Sequence, residues 1–134
     1  HKLLKQGGLG VFIDYGAEKE HWTGDSLQAL KKHQYVDALS NIGTADITHH
    51  VDFTGLKTRF SSKGLTTFGS CTQAEFLTNL GIELRLQQQG NLLSANELKK
   101  LQLAIFRLIS PKFMGQLFKV LAISDNQEIT PAGF

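Results

Sequence analysis

Two long apolar runs interrupt the polar background of this sequence, and each predicts a buried strand. Leu9–Ile13 is almost continuously apolar, and residues 117–123 read LFKVLAI. An uninterrupted apolar run is typical of a strand covered on both faces, which occurs mainly in parallel sheets flanked by helices. Residues 65–71 are less apolar, but they predict a further strand directly before a helix start.

Helix starts are marked by side chains that can accept hydrogen bonds from the first turn. Thr72 with Glu75, and Ser94 with Glu97, each form a capping box ahead of apolar residues at helical spacing. Pro111 ends the second helix because proline cannot continue the backbone hydrogen bonding. The pattern therefore predicts helices between residues 73 and 110.

A third helix is predicted after Asp52, whose carboxylate suits a helix N-terminus. Gly64 is placed to end it in a left-handed conformation. One face of this helix is apolar and carries Phe53, Leu56 and Phe60.

The weakest pattern lies between residues 24 and 50 and at the end of the chain. Polar caps at residues 24–26, followed by Leu27 and Leu30, predict a short helix. Residues 33–50 predict a long loop, and the polar residues after Ser124 predict a loose tail. With strands and helices in alternation, the whole chain is expected to be one α/β domain, residues 1–134.

Composition excludes several function classes. Lys and Arg total 14 against 12 Asp and Glu, and this net charge of +2 is too balanced to indicate nucleic acid or an anionic membrane. The longest apolar run is about seven residues, too short for a membrane span. The single cysteine, Cys71, cannot form an internal disulfide, which favours a reducing intracellular compartment.

The end of the first predicted strand is the clearest candidate site. Asp14, Tyr15 and Gly16 lie where ligands bind in open α/β sheets, outside the carboxyl ends of the strands. The alternative is an ordinary turn, because Asp and Gly are common turn residues. The glycines at 7, 8 and 10 precede this strand, so they do not match a dinucleotide-binding loop, which follows one.

Two other groups of residues carry reactive side chains. One lacks the spacing of a metal site, and the other lacks the partner that a catalytic nucleophile needs. His49 and His50, with Asp46 nearby, do not fit the usual spacing of zinc ligands, so we expect no metal. Cys71 precedes a helix N-terminus, which would lower a thiol pKa. A nucleophile also needs a positioned base, and none is evident, so a buried filler is the favoured interpretation.

Five segments together resemble a known family. In order they are IDYG, GDSLQALKKHQYVD, GTADITHHVDF, TQAEFLTNLGI and the segment from Pro111 to Ile123. Their order and gaps resemble the MidA family of S-adenosylmethionine-dependent methyltransferases of bacteria and mitochondria. The mitochondrial member is a complex I assembly factor that methylates arginine on a protein.

The resemblance implies that this chain is the carboxyl-terminal part of a longer methyltransferase. It implies part of a class I, Rossmann-like methyltransferase sheet, with residues 9–14 as a parallel strand. Residues 65–71 and 117–123 would be its antiparallel closing strands, and residues 73–110 a helical insertion. The loop that holds S-adenosylmethionine would lie upstream, so these residues alone would be inactive.

The resemblance also implies a set of residues near the cofactor and substrate crevice, although it does not say which residue is catalytic. The strand-end motif gives Asp14, Tyr15 and Gly16. The other matched positions are Gln28, His33, Asp46, Thr48, Asp52, Phe53 and Gln73.

The implied partner is a protein substrate, with a respiratory complex I subunit as the candidate, and no nucleic acid. The GDSLQALKKHQYVD segment favours the bacterial cytoplasm over a mitochondrial matrix. A homo-oligomer is an alternative state, because a sheet cut at its middle leaves an open edge. Two other functions remain open: a non-catalytic protein-binding or assembly module that uses the helices between 73 and 109, and a small hydrolase or oxidoreductase that uses Cys71 or His33.

Overall fold

A computed structural model describes residues 7–18, 26–40 and 42–134. These residues form two sheets and a layer of helices, so the expected mixed α/β architecture is confirmed. The elements are β1 (Leu9–Ala17), β2 (Gln28–Lys31), β3 (Gln34–Val36), β4 (Asp46–Thr48), β5 (Val51–Asp52), α1 (Phe53–Ser61), β6 (Thr66–Thr72), α2 (Gln73–Asn79), α3 (Ile82–Gly90), α4 (Ala95–Ile109), α5 (Met114–Leu117) and β7 (Phe118–Ser124).

The larger sheet has the strand order β5-β1-β7-β6. β7 is antiparallel to both of its neighbours, while β5 is parallel to β1 and pairs only with Gly16 and Ala17. The three predicted strands are therefore all present, and the two closing strands are antiparallel to each other. The expected burial of β1 is wrong, because Val11 is 46% exposed and Ile13 is 52% exposed. One edge of β1 carries no partner strand along Leu9–Tyr15 among the described residues.

The core is centred on β7. Val120, Leu121 and Ala122 are fully buried, and Ile123 is 4% exposed. Helices α1, α2 and α5 pack on this strand, and β1 and β6 flank its two edges. Phe53, the first residue of α1, is also fully buried, so α1 extends the core beneath β1.

The smaller sheet corrects the expectations for residues 27–50. Leu27 and Leu30 were expected on a short helix, but residues 28–31 form β2, with β3 and β4 as its antiparallel neighbours in the segment expected to be a loop. The turn from β2 to β3 places Lys32 and His33 at φ of 52° and 63°. Glycine or asparagine usually occupies such turns, so nothing in the sequence indicated this hairpin. Two of the expected helix caps, Gly24 and Asp25, lie outside the described residues.

The capped helices agree with the sequence. Thr72 and Ser94 each accept from the third helical amide, and Glu75 and Glu97 each accept from the cap's own amide, which completes both capping boxes. Gly81, with φ of 79°, separates α2 from α3. Among the described residues, no helix is both long and apolar enough to cross a membrane.

The end of the chain is not loose as expected. The ring of Phe134 lies 5.2 Å from that of Phe76 on α2, and Asn79 Nδ2 donates to the Gly133 carbonyl at 3.3 Å. Pro131 and Gly133 are buried. Sequence polarity missed this packing because only one residue, Phe134, carries the main apolar contact.

Candidate functional site

A cavity of about 320 Å³ opens where the larger sheet meets the smaller one. It lies at the carboxyl end of β1, beside the last residue of α5, and the smaller sheet forms its other wall. Its lining residues are Tyr15, Ser26, Gln28, Leu30, Tyr35, Asp46, Thr48, His49, His50 and Leu117.

Four of the predicted site residues meet in this cavity: Tyr15, Gln28, Asp46 and Thr48. The register of the small sheet explains this, because Gln28 is paired with Thr48 across the strands and Leu30 is paired with Asp46. Alternate residues of a strand share a face, so these side chains line the same wall. Tyr15 is held opposite by Phe118, with ring centroids 4.5 Å apart.

The polar groups of the cavity are mostly neutral hydrogen-bonding groups. Among its described lining residues, Asp46 supplies the single carboxylate. His49 Nδ1 lies 2.8 Å from the His50 carbonyl, and since a carbonyl only accepts, this nitrogen donates. A neutral His49 ring therefore keeps Nε2 as an acceptor. The His50 amide donates to Ser26 Oγ at 3.1 Å, which ties the segment after β4 to the segment before β2 on the smaller-sheet side of the cavity.

The other candidates at the ends of β1 and β5 have structural contacts. Asp14 Oδ1 accepts from the next amide along the chain at 2.8 Å. Asp52 caps α1, accepting from the Gly55 amide at 2.9 Å. Any side chain at Gly16 would collide with the ring of Phe53, so these two residues form a close packing contact beneath β1.

Two candidates lie away from the cavity. Gln73 Nε2 donates to the Leu108 carbonyl at 2.8 Å and so ties α2 to the end of α4. His33 occupies the turn between β2 and β3 and is exposed.

A second cavity, of about 270 Å³, lies beside the first at the same end of the sheet. Ser70 Oγ donates to Glu18 Oε1 at 2.6 Å on its wall. Burial, with a smaller contribution from Glu75, raises the pKa of the Cys71 thiol here. The structure thus gives the opposite direction to the lowered thiol pKa expected from a helix N-terminus, and the protonated thiol is a poor nucleophile.

Sequence reasoning missed Ser26, Leu30, Tyr35, Leu117 and Glu18. The alternation of Gln28 and Leu30 would have indicated the first wall, had residues 27–31 been interpreted as a strand. Within the described part of the chain, no three His, Cys, Asp or Glu side chains lie close enough to hold a metal ion.

Comparison with known proteins identifies the family of this chain. A family model described as "Putative S-adenosyl-L-methionine-dependent methyltransferase" matches residues 1–71, just over half of the chain. The chain belongs to this family. The residues matched by the methyltransferase family model include β1 and the whole of the smaller sheet. These elements line most of the cavity.

Curated relatives and solved structures agree with that assignment. The chain is 34% identical over 130 residues to the protein arginine methyltransferase NDUFAF7, mitochondrial, of Xenopus tropicalis, and 30% identical over 131 residues to the human protein of that name. Each match covers 96% of this chain and about 30% of the relative's length. A crystal structure from Burkholderia thailandensis with bound S-adenosyl-homocysteine superposes with a TM-score of 0.82 at 29% identity, over 94% of this chain and 34% of that one.

The strand-to-helix junctions of the described residues offer no glycine-rich loop for S-adenosylmethionine. Gly10 lies within β1, where a Cβ would be 3.0 Å from Ile123 Cγ1, so this glycine serves strand packing and not a nucleotide loop. Neither of the strand-to-helix junctions, Asp52 into α1 and Thr72 into α2, contains a glycine-rich turn. Any cofactor contacts of this family at such a loop must come from other residues.

Proposed function

We propose that this chain forms the acceptor side of an S-adenosylmethionine-dependent methyltransferase that acts on arginine in a protein. The observation that carries the proposal is the cavity that unites Tyr15, Gln28, Asp46 and Thr48 at the carboxyl end of β1. In open α/β sheets, ligands bind at this end of the strands. Family membership and the names of the curated relatives support the reaction type.

The cavity suits a planar cation. The Asp46 carboxylate can accept a charge-assisted hydrogen bond from a guanidinium, and Gln28 can accept another through its side-chain carbonyl. The Tyr15 ring, on the opposite wall, is partly exposed and can offer a cation–π contact. These contacts would hold the guanidinium in one orientation, which is the main requirement for transfer in line with a methyl donor.

Methylation of a guanidinium nitrogen requires that nitrogen to lose a proton. The Asp46 carboxylate is the proton acceptor that this geometry offers, because its hydrogen bond joins it to the same N–H group. S-adenosylmethionine would supply the methyl group. In this proposal, Asp46 binds the guanidinium and accepts its proton. Gln28 and Thr48 orient the guanidinium, and Tyr15 shields it from water.

The proposed partner is a protein substrate, and a respiratory complex I subunit is the candidate that the resemblance to MidA proteins suggests. The curated relatives carry "mitochondrial" in their names, while the solved neighbours come from a bacterium. We place the activity in the bacterial cytoplasm, or in the mitochondrial matrix if the source is a eukaryote.

The proposal is tested with the longest natural polypeptide that contains this chain. Asp46→Asn should lower kcat/KM for an arginine-containing protein substrate by at least about tenfold, since a lost hydrogen bond to a charged group costs about 1.5–3 kcal/mol. Binding of S-adenosylmethionine, measured by calorimetry, and the melting temperature should both stay unchanged. Methyl transfer is measured with a labelled methyl donor.

Glu83→Gln is the matched control, because Glu83 is an exposed carboxylate on α3, away from the cavity. It should leave kcat/KM unchanged. Full activity of Asp46→Asn would remove Asp46 from the mechanism, and an absence of cofactor binding by the unsubstituted polypeptide would overturn the methyltransferase proposal itself.

A further inference from the structure

Three large apolar side chains are exposed together on the helical layer. Leu103 is 59% exposed, Phe106 55% and Phe113 52%. Leu103 and Phe106 are three residues apart on α4 and therefore share a face, and the Phe106 and Phe113 rings meet edge to face at 5.8 Å. We call these three residues the α4 patch.

The α4 patch is not the face by which α4 packs in this chain. α4 contacts α2, α3 and α5, and its residues turned toward them, such as Leu98, Leu101 and Ile105, are only partly exposed. Large exposed apolar clusters on a folded domain usually mark an interaction surface.

The charged residues in the segment that carries the α4 patch are all basic. Lys99 and Arg107 lie one turn before and one turn after Leu103, and Lys112 directly precedes Phe113. No Asp or Glu occurs anywhere from Leu98 to Ser124. The acid before this stretch, Glu97, is engaged by the Ser94 amide and hydroxyl. An apolar centre with a basic rim is complementary to apolar anchors flanked by acids.

The α4 patch differs in place from the open edge of β1. In the sheet order, β7 and β6 separate β1 from the edge that leads into α2, and α4 packs on helices and not on β1. Any strand that continued the sheet at this open edge would lie beside β1 and not beside the α4 patch.

We infer that the α4 patch docks an acidic, amphipathic segment of a partner protein. A lipid surface is the weaker match, because membrane binding scales with buried apolar area and α4 offers only Leu103 and Phe106 outward. Phenylalanine and arginine together are typical of the centre of protein interfaces. This docking role is independent of the methyltransferase reaction proposed above.

The test uses the longest natural polypeptide containing this chain and a series of synthetic peptides of about 15 residues. All peptides carry the same Leu and Phe anchors at helical spacing and an increasing number of Asp and Glu between them. Fluorescence anisotropy should show affinity that rises with the acid count and falls as salt rises from about 0.05 M to about 0.5 M. A matched series with Lys in place of the acids should bind at least about tenfold more weakly.

Two variants separate the apolar centre from the basic rim. Phe106→Ala should weaken binding of the most acidic peptide by about tenfold or more at all salt concentrations. The double variant Lys99→Glu and Arg107→Glu should remove the preference for acidic peptides and the salt dependence. Leu39→Ala and Lys63→Glu are the matched controls, since both residues are exposed in turns remote from α4, and both should bind like the unsubstituted protein.

Several outcomes would overturn the inference. The first is that no acidic peptide binds at concentrations up to about 1 mM. The second is that Phe106→Ala binds the acidic peptides as tightly as the unsubstituted protein does. The third is that the Lys peptides bind as tightly as the acidic ones. Binding to anionic phosphatidylglycerol vesicles that Phe106→Ala abolishes, without peptide binding, would assign the patch to a lipid. A dimer in light scattering that Phe106→Ala dissociates would assign it to a second copy of the chain.

Discussion

β1 and β7 are antiparallel neighbours that are both rich in apolar residues but have very different environments. Both are long apolar strands, yet Ile123 on β7 is 4% exposed and Ile13 on β1 is 52% exposed. β7 has a partner strand on each side, whereas β1 has β7 on one side and only the two-residue contact with β5 on the other. The apolar pattern of a strand therefore predicts which side chains favour burial, but it does not show whether this chain buries them.

The largest predicted effect is a difference between these two isoleucines. Ile123→Ala should lower the free energy of unfolding by about 2–5 kcal/mol, because it removes a buried side chain and leaves a cavity. Ile13→Ala should cost less than about 1 kcal/mol in this chain, since half of that side chain is already in water. Urea denaturation of both variants measures the difference.

The same pair tests whether β1 has a cover in a longer polypeptide. In the longer polypeptide, the loss in free energy of unfolding caused by Ile13→Ala should rise toward the loss caused by Ile123→Ala. The loss caused by Ile123→Ala should not change. Equal costs of the two substitutions in this chain alone would show that β1 is covered here and would break the comparison.

How well the sequence predicts this molecule depends on where the signal lies. β6, β7 and the helices from 73 to 109 were predicted because capping boxes and long apolar patterns act within one segment. The smaller sheet was not, because its strands are three or four residues long and its turn uses Lys32 and His33 at positive φ. Such strands are stabilised by pairing, which a local pattern does not contain.

The candidate site shows the same division. The family resemblance selected Tyr15, Gln28, Asp46 and Thr48 as candidates, although their strands were only partly predicted. The structure brings these four residues together in one cavity. Asp52 and Gln73 came from the same resemblance, but their observed contacts are a helix cap and a tie between helices. A resemblance identifies positions, and only contacts separate binding from support.

A smaller loss of stability is predicted at α1, the helix that packs beneath β1. Asp52→Ala should lower the free energy of unfolding by about 0.5–2 kcal/mol, since it removes the cap of α1, which supplies the Phe53 and Phe60 contacts beneath β1. Methyl transfer per folded molecule in the longer polypeptide should stay unchanged. A large loss of kcat with unchanged stability would mean that Asp52 contacts substrate.

The smallest effect is a dependence on pH that arises at α2, a helix that covers β7. Hydrogen bonds from the Thr72 amide and hydroxyl lower the pKa of Glu75, the acid of the capping box on α2, which packs on β6 and β7. A carboxyl whose pKa is lower in the folded state stabilises the fold above its unfolded pKa, and that contribution is lost as pH falls through the folded value. α1 has no acid in its first turn, and its cap is the Asp52 carboxylate, which accepts from the Gly55 amide. Thr72→Ala removes the hydroxyl donor but keeps the amide donor, so it should flatten part of the fall in melting temperature below about pH 4.5, near the ordinary pKa of glutamate. Thr54→Ala, in the first turn of α1, should keep the full slope, and identical slopes in both variants would contradict this assignment.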